Sequence, residues 1–338
     1  MQRIIGAKPG AADSPAAPAV HRVRIDEASE GQRLDNFLVK LLKGVPKTHV
    51  YRVIRSGEVR VNKGRAGADT RLALGDEVRI PPVRVADRSE APAAPAREFP
   101  VVFEDDWLIA IDKPAGVAVH GGSGVSSGVI EQLRQARPGA KFLELVHRLD
   151  KETSGLLLIA KKRSALVALQ DQLRQRGGDK AMVKTYAALV TGAWPANRKV
   201  IDVALHKFLT ADGERRVRAV ADDHDDGRRS ITLVRIAQTF KAFTLLDVTI
   251  KTGRTHQIRV HLTHEGHAIV GDEKYGDFAL NKAVARGEAV PGQRFDRMFL
   301  HARCLRFTHP DSGEGIALEA PLPAECKALI HALASAAP

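Results

Sequence analysis

Val146-His147-Arg148-Leu149-Asp150-Lys151-Glu152-Thr153-Ser154-Gly155-Leu156-Leu157-Leu158-Ile159-Ala160 is the run on which the reading of this chain turns. Its second half is unbroken apolar sequence, the pattern of a strand buried on both faces. Its first half is charged and hydroxylated, so it cannot join that strand's core. The run therefore predicts a turn that presents Asp150 at the edge of a sheet. A carboxylate on a rigid rim is well placed to serve as nucleophile or base. Taken alone, a single Asp could equally do no more than cap the turn.

On either side of the run the chain is long and basic. It has 338 residues, enough for two domains, and 52 Lys and Arg against 40 Asp and Glu, a formal charge of +12. The pI near 9.8 suits a polyanionic partner, and nucleic acid is the commonest one. No basic amphipathic stretch with bulky apolar residues points to a membrane surface, and nothing approaches the roughly 18 apolar residues needed to span one. The first twenty residues, rich in Ala, Pro and Gly, lack the apolar core of a signal peptide. They read as a disordered tail. Cys304 and Cys326 are spaced neither as a metal knuckle nor as a redox pair. A cytoplasmic protein with no membrane contact is expected.

From Gly31 to about Pro82 the sequence describes a small unit. Leu34, Phe37, Leu38, Leu41 and Leu42 recur at helical spacing, and a second short helix carries Val50, Val53 and Ile54 up to Gly57. Val59 to Gly64 reads as a strand entering a turn, and Leu74 to Ile80 as a turn and a returning strand. Between Arg84 and Arg97 the composition shifts to Ala, Pro and charges, which cannot build a core. The expected division is a tail over 1–20, a unit over 21–83, a linker over 84–98 and a larger domain over 99–338.

In that larger domain, Val101-Val102-Phe103 and Trp107 to Ile111 look like paired strands. Helices are expected over Val129–Arg137 and Ser164–Arg176, the second with Leu166, Leu169 and Leu173 on one face. Further strands are expected over Thr185–Val190, Ser230–Ile236 and Thr244–Ile250. Strand follows strand without regular helical crossovers, which argues for an α+β fold with a mixed, largely antiparallel sheet.

The segment His147 to Gly155, with Lys184-Thr185-Tyr186 and Thr252-Gly253-Arg254-Thr255-His256-Gln257-Ile258-Arg259 downstream, resembles the RluA superfamily of RNA pseudouridine synthases. Val119 to Gly124, Gly128 to Glu131 and Phe142 to Val146 resemble its branch of large-subunit ribosomal synthases of the C type. The order of elements behind Arg33-Leu34-Asp35 resembles the S4 RNA-binding domain, a small α/β unit. The resemblance covers nearly everything after about Val20. It implies the bent mixed sheet of that family, and isomerisation of uridine to pseudouridine in 23S ribosomal RNA by a monomer. The alternatives are a synthase acting on tRNA and a non-catalytic RNA-binding factor in ribosome assembly.

The reaction breaks the N1–C1′ bond, turns the base and rejoins it through C5, so no cofactor or metal is called for. The resemblance assigns the catalytic carboxylate to Asp150 and its ion-pair partner to Arg259. It assigns Tyr186 to stacking against the extruded uracil, with a late acceptance of the C5 proton. Arg148 is assigned to the gap that the flipped nucleotide leaves in its stack. Arg254 and His256 are implied RNA contacts, as are Arg33, Lys47, Arg52, Arg55, Arg60, Lys63 and Arg65 in the S4-like unit.

Other patterns weigh less. Gly124-Val125-Ser126-Ser127-Gly128 matches a hydrolase nucleophile elbow, but it sits in a Gly/Ser loop with no buried strand directly before it. His256, His261, His264 and His267 lack Cys partners and an HExxH arrangement, a poor zinc set. The run Asp222-Asp223-His224-Asp225-Asp226 reads as a solvated loop. No P-loop and no dinucleotide fingerprint is present.

Overall fold

The computed structural model describes residues 20–42, 44–83, 94–121, 127–175, 177–178, 180–211 and 213–335. The expected tail (save Val20), most of the expected linker and Gly124 to Ser126 of the elbow-like motif lie outside these described residues. The chain divides into two compact units, Met1–Ala91 and Pro92–Pro338.

In the first unit, β1 (His21–Arg24) precedes two helices, α1 (Leu34–Leu41) and α2 (Lys47–Arg55). β2 (Arg60–Val61), β3 (Gly64–Arg65) and β4 (Glu77–Ile80) follow, giving an antiparallel sheet in the order β1-β4-β2-β3. Leu34, Phe37 and Leu38 of α1 meet Val50, Val53 and Ile54 of α2 in one core. Leu41, expected on the same face, is instead 46% exposed at the last residue of α1. Asn62 and Lys63 both have positive φ (49° and 67°), the conformation of a two-residue hairpin turn between β2 and β3.

The second unit begins with β5 (Val101–Glu104), β6 (Leu108–Lys113), α3 (Val129–Ala136) and β7 (Glu144–Leu145). Next come β8 (Ser154–Ala160), α4 (Arg163–Arg174) and β9 (Val183–Thr191). β10 (Val200–Asp202), β11 (Ala204–Leu209), β12 (Arg215–Val220), β13 (Ile231–Thr239) and β14 (Phe243–Ile250) then run in succession. The rest is α5 (Gln257–His264), α6 (Phe278–Arg286), β15 (Leu300–Thr308), β16 (Gly315–Glu319) and α7 (Ala324–Ser335). Arg97 and Glu98, within the expected linker, already pack here: the Arg97 N–H donates to the Gln132 carbonyl and Glu98 pairs with Arg137.

Eight strands form one path, β10-β13-β14-β9-β15-β8-β6-β5, with β16 added beside β15 and β7 beside β8. The β15–β8 pairing is parallel and its neighbours are antiparallel, so the sheet is mixed. All seven residues of β8 are buried, as an apolar run covered on both faces requires. β9 shows how the two faces are used. Tyr186, Ala188 and Val190 face one core with Leu157, Ile159 and Leu246, while Leu189 faces another with Phe243, Phe299 and Leu329. The C-terminal elements complete that second core.

Gly155 shows why the motif needs a glycine. Its φ is +106°, and a Cβ there would lie 2.4 Å from the Ala302 carbonyl oxygen where β8 and β15 run side by side. The close approach locks the start of β8, and with it the loop that carries Asp150.

Three histidines are buried without charge. Burial pushes His147 down to about 3, and His261 and His301 down to about 4. Unfolding returns them to the ordinary value near 6.5, so between pH 6.5 and 4 the unfolded chain binds more protons than the folded one. Stability must therefore fall as pH drops through that window, by up to about 1.4 kcal/mol per pH unit for each group. Both tryptophans, Trp107 and Trp194, lie in the second unit, so their fluorescence in a urea titration reports on it. The urea midpoint should decline from pH 6.5 to 4.5, and less so in His261→Gln; a flat profile would contradict this.

Candidate active site

The second unit contains a cleft of about 980 Å³, walled by the 146–153 loop, the start of β9, the approach to α5 and the segments around Lys274 and Arg297. The loop leaves and re-enters the sheet under tight control. The Val146 N–H donates to the Leu158 carbonyl, and the Leu158 N–H donates to His147 Nε2 at 3.2 Å. At the far end, Arg297 donates to Ser154 Oγ at 2.7 Å, and that oxygen lies 2.9 Å from His301 Nδ1. Lys113 adds a third anchor. Its ammonium, with no exposed surface, donates to the carbonyls of Pro114, Val117 and Lys151. Burial nevertheless pushes its amine down to about 7. Between these anchors Asp150 stands at the tip, its side chain 27% exposed to the cleft.

Opposite Asp150 is α5. Gln257 ties its N-terminus: Oε1 accepts from the Thr252 hydroxyl and the Arg254 N–H, while Nε2 donates to the Ile231 carbonyl and Thr232 Oγ1. His256, just before the helix, adopts a left-handed φ of 52°, a strained choice for a residue other than glycine. One residue after Gln257's neighbour Ile258, Arg259 turns inward, buried. Its Nε and Nη2 each donate to Asp272 at 2.7 Å, a bidentate pair, and its Nη1 lies 3.4 Å from Asp150 Oδ2. The Tyr275 ring lies beneath the guanidinium, 5.0 Å from its centre.

The expected Asp150–Arg259 pair therefore exists, as the longer arm of a three-membered set whose shorter arm ends on Asp272. Burial pushes the Asp272 carboxyl up, but Arg259 and the N–H groups of Tyr275 and Lys274 outweigh it and hold the group below its ordinary value. Asp272 lies outside every motif of the sequence, and no periodicity marks it. Only the preference of a buried guanidinium for a bidentate carboxylate would have asked for such a partner.

Other expected residues fall as follows. Tyr186 forms part of the cleft wall from β9; burial, and then the charge of Asp150, raises its hydroxyl pKa, so it stays protonated at neutral pH. Arg148 and Arg254 are exposed on the cleft, and among the described residues their side chains lack internal bonds of the kind that hold Arg259. His256 is more enclosed than an RNA contact on the rim: its Nδ1 is 2.7 Å from the Tyr275 hydroxyl, which also accepts from the Val217 N–H. His261 is not near it in function, since its ring bonds Thr232 and the Val203 carbonyl, and His267 bonds the Thr191 carbonyl. Among the described residues no group of three or more His, Cys, Asp or Glu is placed to hold a metal ion. The acidic run 222–226 is a turn with its Asp side chains in solvent.

The basic residues expected in the first unit divide into two kinds. Arg33 bonds Asp35 at 2.7 Å while staying part-exposed, Arg65 reaches the Ser56 carbonyl and Arg52 lies 3.2 Å from His49. Asp35 is itself buried and also accepts from the Tyr51 hydroxyl, so the Arg33 pair is part of that unit's framework. Lys47, Arg55 and Lys63 are exposed and unengaged among the described residues, and Arg60 is half-buried on β2.

Comparison with known proteins finds the RNA pseudouridylate synthase family pattern over residues 107–264 and the S4 domain pattern over residues 32–78. A protein of Yersinia pestis named ribosomal large subunit pseudouridine synthase C is 48% identical over 322 residues, 94% of this chain and 96% of its own. The protein of the same name from Escherichia coli K12 is 46% identical over 325 residues, 94% of this chain and 98% of its own. Among solved structures, human RNA pseudouridylate synthase domain containing 4 superposes with a TM-score of 0.55 at 24% identity. It covers 70% of this chain and 93% of its own, a likeness of fold. Among the described residues no helix is long and apolar enough to cross a membrane.

Asp272 and Asp150 hold the same guanidinium but should differ in what they do for stability. Asp272→Asn breaks a buried pair and leaves Arg259 undercompensated, a loss of roughly 3 kcal/mol. Asp150→Asn removes only the longer, solvent-touched arm, and should change stability by less than about 1 kcal/mol. Urea titrations followed by tryptophan fluorescence separate the two; equal losses would mean that Asp150 is a framework residue.

Proposed function

The chain belongs to the RNA pseudouridine synthase family, and we propose that it isomerises uridines to pseudouridine in large-subunit ribosomal RNA. The near full-length likeness to synthases of that RNA carries the substrate reading. The basic balance of the chain and its S4 domain support it. We assign residues 21–83 to an RNA-anchoring domain, 84–98 to a linker, and 99–338 to the catalytic domain behind a 1–20 tail. The activity belongs in the cytoplasm, in keeping with an RNA substrate and the free thiols of Cys304 and Cys326.

The chemistry follows from what the cleft offers. Asp150 is the reading's catalytic carboxylate: it projects into the cleft from a triply anchored loop, with oxygen sites left over after its one long contact to Arg259. Arg259 aims and compensates it, and Asp272 fixes Arg259. A paired or stacked uridine cannot reach such a site without leaving its stack, which costs a few kcal/mol. Arg148, exposed two residues before Asp150, is positioned to fill the vacated place, and Tyr186 to face the extruded base. Because its hydroxyl is held protonated, Tyr186 is the better stacking platform than proton acceptor.

Asp150→Asn preserves size and removes charge. Mapping of pseudouridine in large-subunit RNA incubated with each protein should find sites with the wild type and none with Asp150→Asn, while RNA affinity stays within about twofold. Pseudouridine formed by the Asn variant at a rate near wild type would remove Asp150 from the chemistry. Absence of product with the wild type would remove the substrate reading itself.

A further inference from the structure

Lys184 is a cation without a counterion. It precedes Tyr186 by two residues on β9, so both side chains leave the same face of the strand, into the cleft. It is part-buried, and among the described residues its ammonium makes no hydrogen bond and no ion pair. Among the described residues the ionisable group it acts on is His147, which is neutral near pH 7 and supplies no compensating charge. Lys113 shows the contrast behind the catalytic loop, since its buried ammonium is saturated by three carbonyls.

A part-buried ammonium without a protein partner keeps only part of its hydration, and an anion entering the cleft can supply the compensation that the fold does not. Burial pushes the Lys184 amine down to about 8, which still leaves it largely protonated at neutral pH. Gly253 lies beside the ammonium without a side chain to cover it: a Cβ there would lie 3.6 Å from the Lys184 Nζ. Arg254 follows Gly253 on the exposed rim, so the approach is basic. An anion brought by the substrate fits this position. Two residues on one strand span roughly 6.5 Å, so a base against Tyr186 and an anion on Lys184 belong to the same nucleotide or its neighbour.

We propose that Lys184 binds a phosphodiester flanking the extruded uridine, its ammonium taking a non-bridging oxygen. The inference rests on the reading of the substrate as RNA. It adds a second grip on the target nucleotide, through the backbone, beside the one on the base. It also explains why the cation carries no protein partner: a carboxylate on Lys184 would compete with the phosphate.

The test uses the full chain and an RNA hairpin centred on a uridine that mapping shows the wild type to modify. Binding is measured for wild type, Lys184→Met and Lys184→Arg, with the natural hairpin and with a neutral methylphosphonate 5′ or 3′ of the target. Lys184→Met should weaken binding about tenfold and make the dependence of log affinity on log salt shallower by about one. Lys184→Arg should retain most of the affinity. One of the two methylphosphonates should weaken the wild type by a similar factor and Lys184→Met hardly further. The urea midpoint of Lys184→Met should equal or exceed that of wild type, since an unpaired charge is removed. Additive losses, or an unchanged salt slope, would overturn the proposal in favour of a contact to the base or a structural role. Failure of the wild type to modify any RNA would strike the functional reading instead.

Discussion

A buried guanidinium cannot shed its proton, so Arg259 must be compensated wherever the fold puts it. Asp272 provides that compensation with two bonds of 2.7 Å, and its Oδ1 also accepts from the N–H groups of Lys274 and Tyr275. The pair is thereby close to neutral before Asp150 is considered. Asp150 at 3.4 Å is directed by the guanidinium without being consumed by it. A shorter, bidentate bond to Asp150 would fix its oxygens in a salt bridge; a missing Arg259 would leave it unaimed. The proposed chemistry depends on this division of labour between two carboxylates.

The surrounding architecture keeps that geometry in place. Asp150 is set by the parallel pairing of β8 with β15, where only a glycine fits at position 155, and by the Lys113 and Arg297 anchors on either side of the loop. Arg259 is set by Gln257, whose amide joins the start of α5 to β13 and to the turn after β14. Asp150 thus comes from the loop before β8 and Arg259 from a helix tied to β13, in different halves of the sheet path, and both are held by the framework. Preorganisation of this kind lets a site work without rearranging at the moment of reaction.

Much of this was legible in the sequence because it is local. The apolar run of β8, the helical stripe of α4 and the alternation of β9 each sit within a dozen residues, and the structure places them within two or three residues of where their patterns put them. The short strands β10 to β12 and the C-terminal β15, β16 and α7 escaped, since their burial is decided by partners distant in sequence. The same holds for the site. Asp150, Arg259 and Tyr186 lie in motifs, whereas Asp272, Tyr275 and Lys113 act through contacts that only the folded chain creates. Arg33 shows a pairing that the sequence did not announce, a basic residue expected at the RNA whose guanidinium also bonds Asp35 inside its own unit.

The central claim is that Asp272 acts on the reaction only through Arg259. A mutant cycle measures it: single-turnover rates of pseudouridine formation for Arg259→Gln, Asp272→Asn and the double variant, with RNA in excess of its Kd and folding verified by tryptophan fluorescence. If the claim holds, both single variants lose rate and the double variant is no slower than Arg259→Gln alone, because Asp272 has nothing left to hold. Rate losses that multiply in the double variant would contradict it.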